Sequence, residues 1–193
     1  MKPRSRHGPA NSKRSVNRGP GSRSTVECNA MNVEYINPFL VSTISVFETM
    51  LNCRLERGTP RLLNATQPQH EVSGVIGLSG RAQGTVVLGL SREAALNAAE
   101  AMLQERPAQL NRDVTDAVGE LVNIIAGSAK AKLEHLDLSV SLPTVITGKF
   151  HCIEFPTKVI PICIPFSSPW GEISVEVGLC EPHAGGAVAA DGN

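Results

Sequence analysis

Four polar or small residues recur at helical spacing near the middle of the chain. They are Asp116, Glu120, Asn123 and Gly127. At about 100° per residue they fall roughly 140–200° away from Val118, on the side opposite the apolar one. Glu120 and Asn123 are three residues apart, which makes their side chains neighbours on one helix surface. The sequence therefore predicts an exposed carboxylate and amide presented side by side to a second molecule.

Two glycines in the same segment admit two interpretations. Gly119 and Gly127 each cost a helix about 1 kcal/mol relative to alanine. Gly127 follows Asn123 by one turn, where a small residue leaves the helix surface low and lets another molecule approach closely. The alternative is a solvated helix face with two tolerated glycines, because polar residues on the outer face are the norm. The residues taken alone favour this alternative.

The opposite side of the segment supplies the apolar stripe that would bury the helix against a core. Its members are Val114, Val118, Leu121, Val122, Ile125, Ala129, Leu133 and Leu136, with Lys132 as a polar exception. Asn111 or Asp113 can cap the N-terminus. The pattern predicts a long helix that ends at about Leu136.

The remaining elements predict an α+β fold with a mostly antiparallel sheet packed against long helices. One further helix runs from Asn37-Pro38 to about residue 51, and another covers residues 92–104 after Ser91 as cap. A short extended piece is expected around 54–63, and strands over residues 72–78, 85–90, 139–147, 158–165 and 172–179. Pro161 and Pro165 favour an edge or bulged strand, and alternation from Glu172 predicts one wet and one buried face.

No self-contained catalytic or metal site is visible. The five cysteines are scattered, odd in number and without C-x-x-C, which predicts reduced thiols. His151 and Cys152 are the only close pair, and adjacent strand residues point to opposite faces. The glycines of residues 74–84 do not match a phosphate-binding G-x-x-x-x-G-K-[ST] loop. A self-sufficient hydrolase and a metal centre are therefore disfavoured.

The charge distribution argues against nucleic-acid binding. Formal net charge is zero, but residues 1–30 hold seven basic residues and one acidic residue. The remainder is mildly acidic and has no basic stripe. There is no apolar run long enough to span a bilayer and no apolar stretch of a secretory signal. We therefore expect a cytoplasmic protein.

The composition along the chain predicts three parts. Residues 1–30 are expected to form a disordered basic extension, residues 31–181 one domain, and residues 182–193 a flexible tail. The extension could bind anionic partners, could be inert, or could precede a true start at Met31. The inert tail is the favoured interpretation of the first two.

The motif and its flanks resemble the CheX-like chemotaxis phosphatases, relatives of CheC and FliY. Their mark is E-x-x-N within D-x-x-x-E-x-x-N-x-x-x-G, formed here by Asp116, Glu120, Asn123 and Gly127. Residues 33–50, the hairpin 74–84 and Ser-Leu-Pro-Thr-Val at 141–145 also resemble the family. The resemblance covers about 31–181 and implies the CheC/CheX-like layered fold. A single motif copy is similar to CheX, whereas CheC and FliY carry two.

This resemblance implies that the chain dephosphorylates a phosphorylated CheY-like response regulator in chemotaxis. Glu120 would pair with the regulator's active-site lysine, and Asn123 would hold the attacking water in line with phosphorus. Asp116 and Gly127 would contribute to partner binding. Mg²⁺ would come from the regulator, so no cofactor of its own is expected. The family also implies a homodimer joined at strand edges, for which the strand over residues 172–179 is a candidate.

Two other functions stay open. A non-catalytic docking module could bind a response regulator or a flagellar switch protein through the same helix face. A structural homodimer could leave that face merely solvated. The presence of Asn123 beside Glu120 favours the enzyme, because an adaptor has no need of the amide.

Overall fold

Three helices and eight strands form within the part of the chain that the computed structural model describes, residues 33–63, 70–155 and 160–182. The helices are α1 (Ile36–Met50), α2 (Arg92–Leu103) and α3 (Arg112–Lys130). The strands are β1 (Glu56–Arg57), β2 (Arg61–Leu62), β3 (Val72–Ser79), β4 (Gln83–Leu90), β5 (Ser139–Val140), β6 (Thr144–Thr147), β7 (Ile162–Ser168) and β8 (Gly171–Cys180). The predicted extension 1–30 lies outside the described residues, as does the tail after Pro182.

All strand pairs in the described sheet are antiparallel. The order runs β1–β7–β8–β4–β3–β5, with β2 also paired to β7 and β6 also paired to β3. The edges are therefore formed by the short strands β1 and β2 on one side and β5 and β6 on the other. The three helices contact one face of this sheet and each other. The predicted α+β class with an antiparallel sheet is confirmed.

Side-chain caps begin two of the helices where the sequence predicts them. The Ser91 hydroxyl accepts a hydrogen bond from the backbone N–H of Ala94. The side-chain amide oxygen of Asn111 accepts a hydrogen bond from the backbone N–H of Val114. Asp113 is therefore not the cap of α3; its carboxylate accepts from the Asn111 amide instead.

The end of α3 differs from the prediction. The helix stops at Lys130, and a separate 3-10 turn covers Glu134–Leu136. Leu133 leaves the helical conformation, and backbone bonds tighten to i→i+3 spacing on both sides of it. This change of path still buries Leu133 and Leu136. The apolar period thus continues past the end of the regular helix.

The predicted strand over residues 139–147 is two strands. Residues 141–143 interrupt it, because Ser141 bonds through its side chain to the N–H of Gly77 and Pro143 has no N–H to donate. The result is a short loop between β5 and β6, beside α3.

Of the two positions expected for β7, the edge is wrong, because β7 lies inside the sheet. The bulged alternative agrees with a pairing that is interrupted beside Pro165. The strand pairs with β8 on one side and with β1 and β2 on the other. Pro165 falls in the gap between the residues that pair with β1 and those that pair with β2. Its carbonyl accepts a hydrogen bond from the N–H of Gly58, and its missing N–H falls where β7 has no paired residue on that side.

Strand β8 was expected to have a wet face and a joining edge, and it has neither. It lies between β4 and β7, and its residues from Ile173 to Cys180 are all buried. The helices cover one face. His70 and Phe155 lie over the other, close to Gly89 of β4 and Gly178 of β8. An edge-to-edge homodimer therefore cannot use β8.

Helix α3 packs unusually close to the sheet at Gly74 of β3. A Cβ atom at Gly74 would lie 3.0 Å from Cγ1 of Val122 and 3.3 Å from Cγ1 of Val118. Both valines are fully buried. The absence of a side chain at Gly74 therefore permits the short distance between α3 and β3 at this point.

We predict that Gly74→Ala destabilises the fold by about 1–3 kcal/mol, because the added methyl group crowds two buried valines. Urea unfolding followed by circular dichroism measures the change. Gly77→Ala in the same strand is the matched control, since its Cβ would meet Ser141 at an ordinary 3.5 Å. Equal midpoints for the two variants would contradict the close packing described here.

Candidate functional site

Packing on three sides fixes the rotation of α3 about its axis. Val118, Leu121, Val122 and Ile125 are fully buried, and α3 contacts α1 and α2 as well as strands β3 to β6. Ala117 and Ala126 are buried too, which the helical wheel alone did not predict. Their burial reflects the two neighbouring helices, whose positions are not visible in the local sequence.

The outward side of α3 carries the four residues that the sequence singled out. Glu120 and Asp116 are exposed, and Asn123 and Gly127 are partly exposed. Within the described part of the chain, neither Glu120 nor Asn123 forms a side-chain hydrogen bond or ion pair. A carboxylate and an amide are thus held on a rigid helix with their polar atoms available to a partner.

Asp116 differs from the other two polar residues because it has an internal partner. Its Oδ2 lies 3.6 Å from Nε of Arg112, one turn earlier on the helix. The two side chains are 69% and 91% exposed, so the pair contributes little to stability. It does reduce the negative charge that Asp116 presents beside Glu120.

A groove of about 380 Å³ runs along one flank of this helix face. It is lined by Thr115, Asp116, Gly119, Glu120, Pro143 and Val145. Gly119 lies close to the opposite wall, since a Cβ there would be 3.5 Å from Val145 and 3.7 Å from Pro143. The helix face and the start of β6 therefore form one continuous surface around Glu120.

Sequence reasoning missed the contribution of Thr115, Pro143 and Val145 to this surface. No spacing rule relates residues 143–145 to a helix more than twenty positions earlier. The available signal was the Ser-Leu-Pro-Thr-Val segment, which resembles the family but does not by itself indicate a neighbour. The antiparallel pairing of β6 with β3 brings it there.

Gly127 has a different environment from Gly119. No heavy atom lies within 4 Å of the position that a Cβ would occupy at Gly127. Internal packing therefore does not require a glycine there. Gly127 lowers the stability of the helix, and no packing contact among the described residues compensates for the loss. The low surface one turn beyond Asn123 is available to an approaching molecule.

The cysteines of the described residues lie away from this surface. Cys53, Cys152 and Cys163 are free thiols, whereas Cys180 is disulfide-bonded, so the prediction of reduced thiols is wrong for Cys180. Burial, with a smaller contribution from the Glu176 carboxylate, raises the pKa of Cys163 to about 11. A buried thiol with a raised pKa is a poor nucleophile at neutral pH.

Residues 33–63, 70–155 and 160–182 contain neither a metal-binding cluster nor a membrane-spanning helix. No cluster of three or more His, Cys, Asp or Glu side chains is placed to hold a metal ion. None of the helices combines the length and apolar character needed to cross a membrane.

A second groove, of about 400 Å³, lies at the other edge of the sheet. Arg57, Arg61, His70 and Glu172 are among its lining residues. Burial lowers the pKa of the His70 imidazole, while the Glu172 carboxylate acts in the opposite direction. Its walls carry two guanidinium groups and also carboxylates, so the groove selects neither a cationic nor an anionic ligand.

Comparison with known proteins identifies consistent relatives. The family model described as chemotaxis phosphatase CheX matches residues 72–167, from β3 into β7. The CheY-P phosphatase CheX of Thermotoga maritima is 30% identical over 122 residues, which are 62% of this chain and 79% of that protein.

Solved structures agree with this comparison. The chemotaxis protein CheX from Vibrio vulnificus is 36% identical with a TM-score of 0.71, covering 76% of this chain and 99% of that one. The CheX-CheY-BeF3-Mg+2 complex from Borrelia burgdorferi matches at 26% identity and a TM-score of 0.64, covering 78% of this chain and 100% of that one. The layered fold that the resemblance implied is confirmed.

We predict that iodoacetamide at pH 8 modifies Cys152 in the native protein and leaves Cys53 and Cys163 unmodified. Cys152 is exposed, whereas burial raises the pKa of both other thiols and so lowers their thiolate fraction at this pH. Peptide mass spectrometry locates the label, and urea-unfolded protein is the control in which all three react. Native labelling of Cys163 at the rate of Cys152 would show that β7 is not buried as described.

We also predict that Gly127→Ala raises the free energy of unfolding by about 1 kcal/mol, since the methyl group meets open space and removes the helix cost of glycine. Thermal and urea unfolding measure the gain. A loss of stability would mean that the helix face at Gly127 is already covered by another part of the protein.

Proposed function

Because this chain belongs to the CheX family of chemotaxis phosphatases, we propose that it dephosphorylates a CheY-like response regulator through the exposed face of α3. The observation that carries the proposal is the pair Glu120 and Asn123, three residues apart and without side-chain partners in the described residues. The CheY-P phosphatase activity named for the Thermotoga maritima relative supports the reaction type. The CheX-CheY complex from Borrelia burgdorferi supports the class of partner.

The chemistry suits a site with no nucleophile of its own. Water attacks the phosphorus of the regulator's phosphoaspartate, the P–O bond to the aspartate carboxylate breaks, and inorganic phosphate leaves with the proton that the water gives up. Phosphoryl transfer depends mainly on position and charge stabilisation. The regulator's own Mg²⁺ and lysine supply the charge stabilisation, so this chain needs to supply position.

Asn123 fits the role of positioning the water. Its side-chain amide can donate to one oxygen and accept from another, so it can orient a water without competing as a nucleophile. The helix holds the side chain on a fixed backbone, and no internal hydrogen bond within the described residues must break first.

Glu120 fits the role of docking. A carboxylate facing the regulator's lysine forms a charge-assisted hydrogen bond, which is stronger and more directional than a neutral one. Asp116 lies one turn earlier and is partly neutralised by Arg112. We therefore assign Asp116 a secondary contact, and Gly127 the role of allowing close approach.

The proposal includes three further expectations. The protein carries no cofactor of its own, since Mg²⁺ comes from the regulator. It acts in the cytoplasm, because enzyme and phosphorylated regulator must share a compartment. It forms a homodimer through a sheet edge; the edges of the described sheet are β1 and β2 on one side and β5 and β6 on the other.

We predict that the wild-type protein accelerates phosphate loss from a matching receiver domain and that Asn123→Ala reduces this acceleration by about 100-fold. The reason is loss of an oriented water in the transition state, a contribution of the size seen when one positioned polar group is removed. Glu120→Ala should instead raise KM by about tenfold or more, through loss of a docking charge. Decay of radiolabelled receiver domains with Mg²⁺ separates the two effects.

Glu93→Ala and Asn97→Ala are controls of the same residue types on α2, which packs against α3, β4 and β8 and lines no part of the groove. Both side chains contact Arg106 instead. Both variants should accelerate phosphate loss from the receiver domain as much as the wild type does. Full activity of Asn123→Ala would refute the mechanism. Binding without any acceleration by the wild type would instead favour a non-catalytic docking module.

A further inference from the structure

Leu142, in the loop between β5 and β6, is the most exposed large apolar residue of the described chain. Its exposed fraction is 90%, against 48–60% for Val41, Met50, Leu62, Leu103 and Ile160 and 80% for Phe150. Single exposed apolar residues are common on protein surfaces. Exposure alone therefore assigns Leu142 no role. A role for Leu142 depends on the structure and position of the loop that carries it.

The backbone on both sides of Leu142 is held in place. The N–H of Ser141 donates to the carbonyl of Gly77 at 2.9 Å, and the N–H of Gly77 donates to Oγ of Ser141 at 2.9 Å. The same hydroxyl donates to the carbonyl of Leu142 itself. Pro143 follows with its fixed φ angle. The leucine is therefore carried on a braced backbone, which has little conformational freedom left to lose on binding.

This loop adjoins the proposed docking face. Pro143, next to Leu142, lines the same groove as Glu120 and lies against Gly119 of α3. A partner that covers this groove and contacts both Glu120 and Pro143 therefore comes within one residue of Leu142. A braced backbone lowers the ordering cost of binding. Apolar contacts around a central charged contact also exclude water from it.

We propose that Leu142 is an apolar anchor for the phosphorylated regulator, packing against an apolar recess beside the receiver's active site. This inference rests on the proposed function, because it names a further contact of the same docking face. Leu142 is a positioning residue: it sets the affinity for the regulator and discriminates among receivers, and it does not touch the reacting phosphoryl group.

The test is the affinity for a CheY-like receiver domain loaded with beryllofluoride and Mg²⁺, measured by calorimetry. Leu142→Ala should raise Kd roughly tenfold, and Leu142→Asp should raise it further, while Leu142→Met keeps the affinity of wild type. At saturating phosphorylated receiver, kcat of Leu142→Ala should equal that of wild type. The thermal midpoint should not move, since the side chain is exposed.

Leu62→Ala is the matched control, an exposed leucine at the opposite edge of the sheet. An unchanged Kd for Leu142→Ala would overturn the inference. A change in the oligomeric state of Leu142→Ala, measured by light scattering, would also overturn it, because Leu142 would then contact a second copy of the chain. If the wild type binds the loaded receiver but does not accelerate decay, the proposed activity is wrong. The Kd of Leu142→Ala compared with that of the wild type then still tests the role of Leu142. If the wild type binds no receiver, both fail.

Discussion

Helix α3 comes so close to strand β3 that Gly74 has little room for a side chain, with Val118 and Val122 about 3 Å from where a Cβ would be. On its other flank the helix meets β6 and the loop before it at Gly119. Together with its contacts to α1 and α2, this packing holds the helix in one rotation about its axis. Which residues it buries and which it presents to solvent are therefore decided together, by the same packing.

The outward face is shaped for contact rather than for stability. Glu120 and Asn123 make no side-chain hydrogen bonds or ion pairs within residues 33–63, 70–155 and 160–182. Gly127 lowers the stability of the helix at a position where internal packing does not require a glycine. Natural proteins depart from local stability rules mainly where function requires it. For the function proposed here, the requirement is a rigid surface that the regulator's active site can close over, with position as the main contribution to rate.

The parts of this account that the sequence predicted are those that depend on local periodicity. The 3.6-residue apolar period located the outward face of α3. Side-chain chemistry identified Ser91 as a cap and Asn111 as one of two candidates for another. The parts that it missed depend on contacts between distant segments. The approach of Pro143 to α3 follows from strand pairing, and the burial of both faces of β8 follows from a segment laid over the sheet. Neither leaves a periodic mark in the local sequence.

The central claim is that the α3 face closes over the regulator's phosphorylation site. A crystal structure of this protein with a beryllofluoride-loaded CheY-like receiver domain and Mg²⁺ tests it most directly. The account predicts the Asn123 amide within hydrogen-bonding distance of a water in line with the beryllofluoride, and Glu120 paired with the receiver's lysine. A receiver bound at the second groove or at a sheet edge, with Glu120 and Asn123 still facing solvent, would contradict it.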